Sequence, residues 1–167
     1  MYQECNQYLI KKLEIAGITR PVHLNQKTLE NDNESHKAAV ISESDEFTRN
    51  VEKVIYRDQL GKKHKRTKIF DRKVTFIVTI GEYKAETCEA IFEKFVTGLD
   101  EGIYINGNYV TMELMPANWF DEEDKIMKSN IAVIFKVSFS GGIYKDTDYL
   151  KVGIDVSAPE MERGNNE

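Results

Sequence analysis

The chain has little of what usually advertises chemistry. Its 167 residues include only two cysteines, three histidines and one tryptophan. Cys5 and Cys88 lie too far apart in sequence to make a disulfide framework or a zinc site. Each falls on the apolar face of an expected helix, which predicts reduced, buried thiols in a cytosolic protein. His23, His36 and His64 sit in unrelated polar stretches, and none has ligand spacing to a cysteine or another histidine. There is no GxSxG elbow, no HExxH pair, no phosphate-binding loop and no dinucleotide fingerprint. The expectation is therefore no enzyme, no metal and no cofactor. No apolar run approaches the roughly 20 residues of a membrane helix. The opening MYQECNQYLIKKLEIAG lacks the basic start and apolar centre of a signal peptide. The sequence thus predicts no membrane partner. An excess of basic charge is missing too: 23 basic against 28 acidic residues leave a net charge of −5, which gives no general reason to expect a polyanion.

What the chain does have is pattern. In residues 84–139, Cys88, Ile91, Phe92, Phe95 and Leu99 recur at helical spacing, with Glu86, Glu89, Glu93 and Lys94 on the opposite face. Gly98 stands where that helix should end in a left-handed cap. Asn106-Gly107 between two apolar runs is a hairpin signal, because both residues accept positive φ. Ile131, Val133, Phe135, Val137 and Phe139 alternate with residues such as Lys136 and Ser138, as in a strand with one buried face. Residues 2–16 form an amphipathic helix with Cys5, Leu9 and Leu13 as its stripe, closed by Gly17. The fold class is α+β, with a mixed or mostly antiparallel sheet on which the N-terminal and central helices pack.

Composition sets the boundaries. The length suits a single domain, read as 1–156 with a disordered tail over 157–167. Residues 24–37 have almost no apolar content and read as a flexible arm. Ala38–Ile41 is a short buried strand, and Ser42–Asn50 a polar connection. Val51–Tyr56 and Lys68–Ile80 pair as a hairpin through a long basic link, with a bend or bulge at Asp71–Lys73. Gly141-Gly142 is expected to break the last strand. Tyr149–Ile154 is either a further strand or an arm on a neighbour.

Three features invite a functional reading, each beside a plainer one. The tract Lys62, Lys63, His64, Lys65, Arg66 and Lys68, extending to Arg72 and Lys73, suits phosphate contact, or simply a solvated hairpin tip. Asp121–Asp124 lacks the alternation of a calcium loop and reads as a wet turn. Trp119 and Phe120 before it are either tucked under the loop or offered to a partner. The acidic arm (residues 29–47, with Glu30, Asp32, Glu34, Glu43, Asp45 and Glu46 against Lys37 alone) and the basic tip have opposite signs. If copies pack side by side, the two would meet across a heterologous, ring-closing interface. Reversing Lys62, Lys63 and Lys65 to Glu would then abolish assembly.

This order of elements is an N-terminal helix, a polar arm, a hairpin, a central helix, an Asn-Gly hairpin, an acidic turn with Trp119, and a last strand ending FKVSFSGGIY. It resembles the tail-terminator or tail-completion proteins of tailed bacteriophages and prophages, most closely over residues 68–144. The resemblance lies in layout, with no diagnostic short motif. It implies a ring, usually of six copies, that caps the tail tube and joins it to the head connector. It implies location in the virion tail, host cytoplasm during assembly, passage of DNA through the lumen, and no catalytic residue. The arm and the 143–156 extension exceed a minimal member and suit another neck or tail subunit equally. A single-stranded nucleic-acid-binding protein is the reading that the basic tract alone supports.

Overall fold

Two helices cover one face of a six-stranded sheet whose named strands all pair antiparallel. The structure is a computed structural model and describes residues 1–57, 63–121 and 129–147. The order is α1 (Tyr2–Ala16), α2 (Gln26–Asn31), β1 (Lys37–Arg57), β2 (Lys63–Glu82), α3 (Ala85–Thr97), β3 (Gly102–Ile105), β4 (Asn108–Leu114), β5 (Asn118–Asp121) and β6 (Ile131–Thr147). The strands lie as β1-β2-β6-β4-β3, and β5 runs along the same side of β6 as β4, against Ile131–Ile134.

Alternation decides the buried face. Val74, Phe76, Val78 and Ile80 of β2 lie opposite Phe139, Val137, Phe135 and Val133 of β6, and all eight are buried. A slip of one residue would turn that whole set to the other face, so the core itself fixes the register. Cys5, Leu9, Leu13 and Ala16 of α1 and Cys88, Ile91 and Phe95 of α3 close over it. The Phe135 ring meets Phe92 at 5.2 Å and Phe95 at 5.4 Å between centroids, and Phe76 meets Phe139 edge-on at 6.0 Å. Each such side chain contributes about 1.5–3 kcal/mol by leaving water.

The α+β expectation, both long helices and the Asn-Gly hairpin agree with the structure. Ile103 faces Val110 and Ile105 faces Asn108, and Asn106 and Gly107 take φ of 50° and 76°. That pair of positive values is what a two-residue turn needs to match strand twist. Cys5 and Cys88 are free and buried.

Several expectations need correction. The 24–37 arm contains α2, capped by the Asn25 side chain accepting from the Thr28 amide at 2.9 Å, and it buries Leu29. Leu29 rests with Ala39 and Ala132 on the sheet face away from α1 and α3. Ser42–Asn50 is not a connection but the middle of β1. Gly141-Gly142 does not stop β6, which continues to Thr147. The irregularities fall at Ser42/Ser44, Arg49/Glu52 and Lys68/Phe70, not at Asp71–Lys73. Gly98 keeps a helix-like φ of −82°, so no left-handed cap ends α3. Phe92 is only partly buried. The expected strand at 149–154 and tail at 157–167 lie outside the described residues.

Candidate interaction surface

β1, β2 and β6 outrun the core. Outward from Ser42, Lys73 and Ser140, no described side chain in these strands is buried. The three form a blade that projects beyond the hydrophobic layer. Cross-strand charge holds it together. Arg72 donates to both carboxylate oxygens of Asp45, at 2.9 and 2.6 Å, and its guanidinium lies 5.2 Å from the Phe47 ring centroid. Arg66 donates to Asp146 at 2.6 and 3.1 Å and to Asn108 at 2.6 Å, and lies 5.5 Å from the Tyr144 ring centroid. Lys68 pairs with Asp71. The Arg66 guanidinium holds the Asp146 carboxyl below its usual range, and the bond to Asp45 raises Arg72.

Within the basic tract, Arg66 and Lys68 are thus engaged inside the chain. Lys62 lies outside the described residues, Lys63 opens β2, and Lys65 stands in register with Ile55 and Thr147. Asp45 and Arg72, of opposite sign, pair inside one chain. Antiparallel pairing sets Asp45 and Glu46 of β1 beside Arg72 and Lys73 of β2, whereas Lys63–Lys68 run opposite Glu52–Arg57.

The acidic arm splits in two. Glu30 accepts from Gln26 at 2.9 Å and is exposed, and Glu34 accepts from the Tyr83 hydroxyl. The Asp32 side chain is only 10% exposed and is held by Arg20 at 3.0 Å and His23 at 2.9 Å. Burial pushes its pKa up, but the Glu34 amide, His23 and Arg20 outweigh that and bring it to about 2. Asp32 is thus turned inward and does not serve as a surface charge. Beside it, the buried Lys37 ammonium donates to the Asp32 carbonyl at 2.8 Å. Ser129 donates to the Ser35 carbonyl at 3.2 Å. A Cβ at Gly81 would stand 2.4 Å from the Ser129 hydroxyl, so only glycine allows this approach.

Histidine spacing alone did not reveal a second grouping. His36 Nε2 lies 3.1 Å from Thr19 Oγ1, and its Nδ1 bonds to the buried Glu82 carboxylate. Hydroxyl, imidazole and carboxylate follow the order of an activated nucleophile. The Thr19 amide shares the same nitrogen at 3.4 Å, and the clefts beside the blade lie elsewhere. We read this row as a latch that ties residues 19–36 to the end of β2. Among the described residues, no three His, Cys, Asp or Glu gather in a way that could hold a metal.

Trp119 is partly tucked and partly open. It pairs with Val133 and packs edge-on against Phe92 at 5.6 Å, yet remains 45% exposed. Phe120 pairs with Ala132 and is half-buried. With Asp121 and Ile131 the two rings line a shallow cleft of about 260 Å³. Glu122, Glu123 and Asp124 lie outside the described residues.

The largest feature that residue-type reasoning missed is the outer edge of β1. It ends the sheet, and Phe47, Val51, Val54 and Ile55 are exposed on it. Locally, Val51–Tyr56 shows only its apolar content; that this strand has no outer neighbour among the described residues is a property of sheet order. Among described residues only His23 bridges that edge, at Ala39. Compared with known proteins, the chain matches no family model and no curated sequence. Among the described residues no helix is long and apolar enough to cross a membrane.

Proposed function

We propose that this chain is a ring-forming subunit of a phage or prophage tail, a tail terminator or completion protein that caps the tail tube and meets the head connector. The observation that carries the reading is the blade: a long, partly apolar edge strand on a small α+β domain, braced by ion pairs such as Arg72–Asp45 and Arg66–Asp146. Edge strands of this kind are usually shortened, covered or charged, because an open one recruits another chain. A subunit that works only within an assembly has a use for such an edge. The resemblance in element order supplies the kind of assembly, a ring of about six copies around a lumen that passes DNA. Both support the reading from independent sides, one from surface physics and one from layout.

The reading assigns no catalysis. The test is native mass over a range of protein and magnesium concentrations, with and without a labelled single-stranded oligonucleotide. A closed oligomer that ignores the oligonucleotide supports the ring. A monomer that binds the oligonucleotide, with affinity falling as salt rises, would replace the ring by the nucleic-acid reading.

A further inference from the structure

Among the described residues the sheet is unfinished along the outer edge of β1. At its inner end the edge is closed: the His23 amide donates to the Ala38 carbonyl, and the Val40 amide donates to the His23 carbonyl, both at 2.9 Å. Further out, no described residue pairs with it. There Phe47, Val51 and Ile55 are 51%, 68% and 62% exposed. A strand added here would meet open backbone groups and apolar side chains together.

The chain carries a matching strand sequence. Across the blade, Ile55, Lys65 and Thr147 lie in one row, so β6 leaves the described structure two strand spacings, about 10 Å, from β1. The sequence that follows, DYLKVGIDV over residues 148–156, sets Leu150, Val152, Ile154 and Val156 at a period of two. Extended, it would reach about 30 Å, enough to line β1 from Thr48 to Tyr56. The charges also complement. The outer half of β1 carries Arg49, Lys53 and Arg57 against Glu52, while the segment carries Asp148 and Asp155 against Lys151. Its own β1 edge is a poor target. Passing over β2 and β1 to that edge spans about 14 Å and would use four or five residues, roughly half the segment.

We infer that residues 148–156 of one copy add as a strand to the outer edge of β1 of the next copy. This rests on the ring reading and names its interface: each subunit gives a strand and receives one, a head-to-tail contact that closes on itself.

The test compares the full chain with a chain ending at Thr147, by native mass, with circular dichroism to confirm that both are folded. A labelled peptide of residues 148–156 is then titrated onto the shortened chain and onto its Val51→Lys/Ile55→Lys variant. The expected results are an oligomeric full chain, a monomeric shortened chain, saturable peptide binding, and at least a tenfold loss of affinity in the variant. A shortened chain that still forms the same oligomer overturns the inference and leaves the ring standing. A full chain that stays monomeric at every concentration overturns both. Peptide binding that the variant does not weaken removes β1 as the acceptor.

Discussion

Arg72 of β2 grips Asp45 of β1 through two hydrogen bonds, at 2.9 and 2.6 Å, just where the hydrophobic layer stops and the blade begins. The pair is partly shielded, with side chains 21% and 31% exposed. Two parallel bonds fix direction as well as distance. We expect Arg72→Asp to cost about 1 kcal/mol or somewhat more, since it puts like charges together. Adding Asp45→Arg should recover most of the loss. Urea denaturation of both single variants and the exchanged pair measures the coupling. Additive losses would mean that the pair contributes nothing across the strands.

Phe135 and Phe92 touch at 5.2 Å, yet they differ in burial. Phe135 is 1% exposed, whereas Phe92 is only partly buried. Phe135→Ala should cost about 3–5 kcal/mol, the range for emptying a packed aromatic site. Phe92→Ala should cost clearly less, because water can take part of the space. Equal losses in chemical denaturation would show that both rings are equally enclosed.

Asp32 sets an acid limit. Its folded pKa of about 2 lies below the ordinary 3.8. A depressed carboxyl stabilises the fold above the unfolded value and loses that contribution as pH falls from about 4 to 2. Allowing for solvent screening, the loss is of order 1 kcal/mol. Asp32→Asn should be less stable than the parent at pH 6 and close to it near pH 2. A constant gap between the two across that window would remove Asp32 as the cause.

The thiols should be silent. Burial pushes Cys5 up to about 12 and Cys88 up to about 11. Thiolate is the reactive form, so almost none exists at neutral pH. Ellman's reagent should find no fast thiol in the folded protein and two after denaturation. A rapid first equivalent would place one cysteine at the surface.

One buried pair tests the second face of the sheet. Thr75 and Ser138 share a hydrogen bond of 3.0 Å with both side chains enclosed. Ser138→Ala alone should cost about 1–3 kcal/mol, because it strands the Thr75 hydroxyl. Replacing both with Ala and Val should cost less than that single change. Thermal midpoints of the three proteins decide it.

Local spacing determined much of this molecule. The stripe Cys5, Leu9, Leu13, the stripe Cys88, Ile91, Phe95, the alternation from Ile131 to Phe139 and the Asn106-Gly107 turn are periodicities of 3.6 and 2, or a backbone need that two residues meet. They are written in neighbouring residues, so they can be read there. What escaped depends on partners distant in sequence. Glu43, Asp45 and Glu46 look like a loop because their strand faces water and finds partners such as Lys136 and Arg72 only after the sheet forms. α2 is held by one buried leucine and a cap, too little to leave a period. The Lys68 and Tyr144 side chains occupy the place where Gly142 has none, so β6 runs on through the glycine pair. His36 and Glu82 are 46 positions apart, and their contact exists only because β2 ends beside the arm. Sheet order, finally, left the outer side of β1 without a strand beyond His23 among the described residues. Hydrophobic period chooses which face of an element is buried, but only the tertiary arrangement chooses which edge is left open.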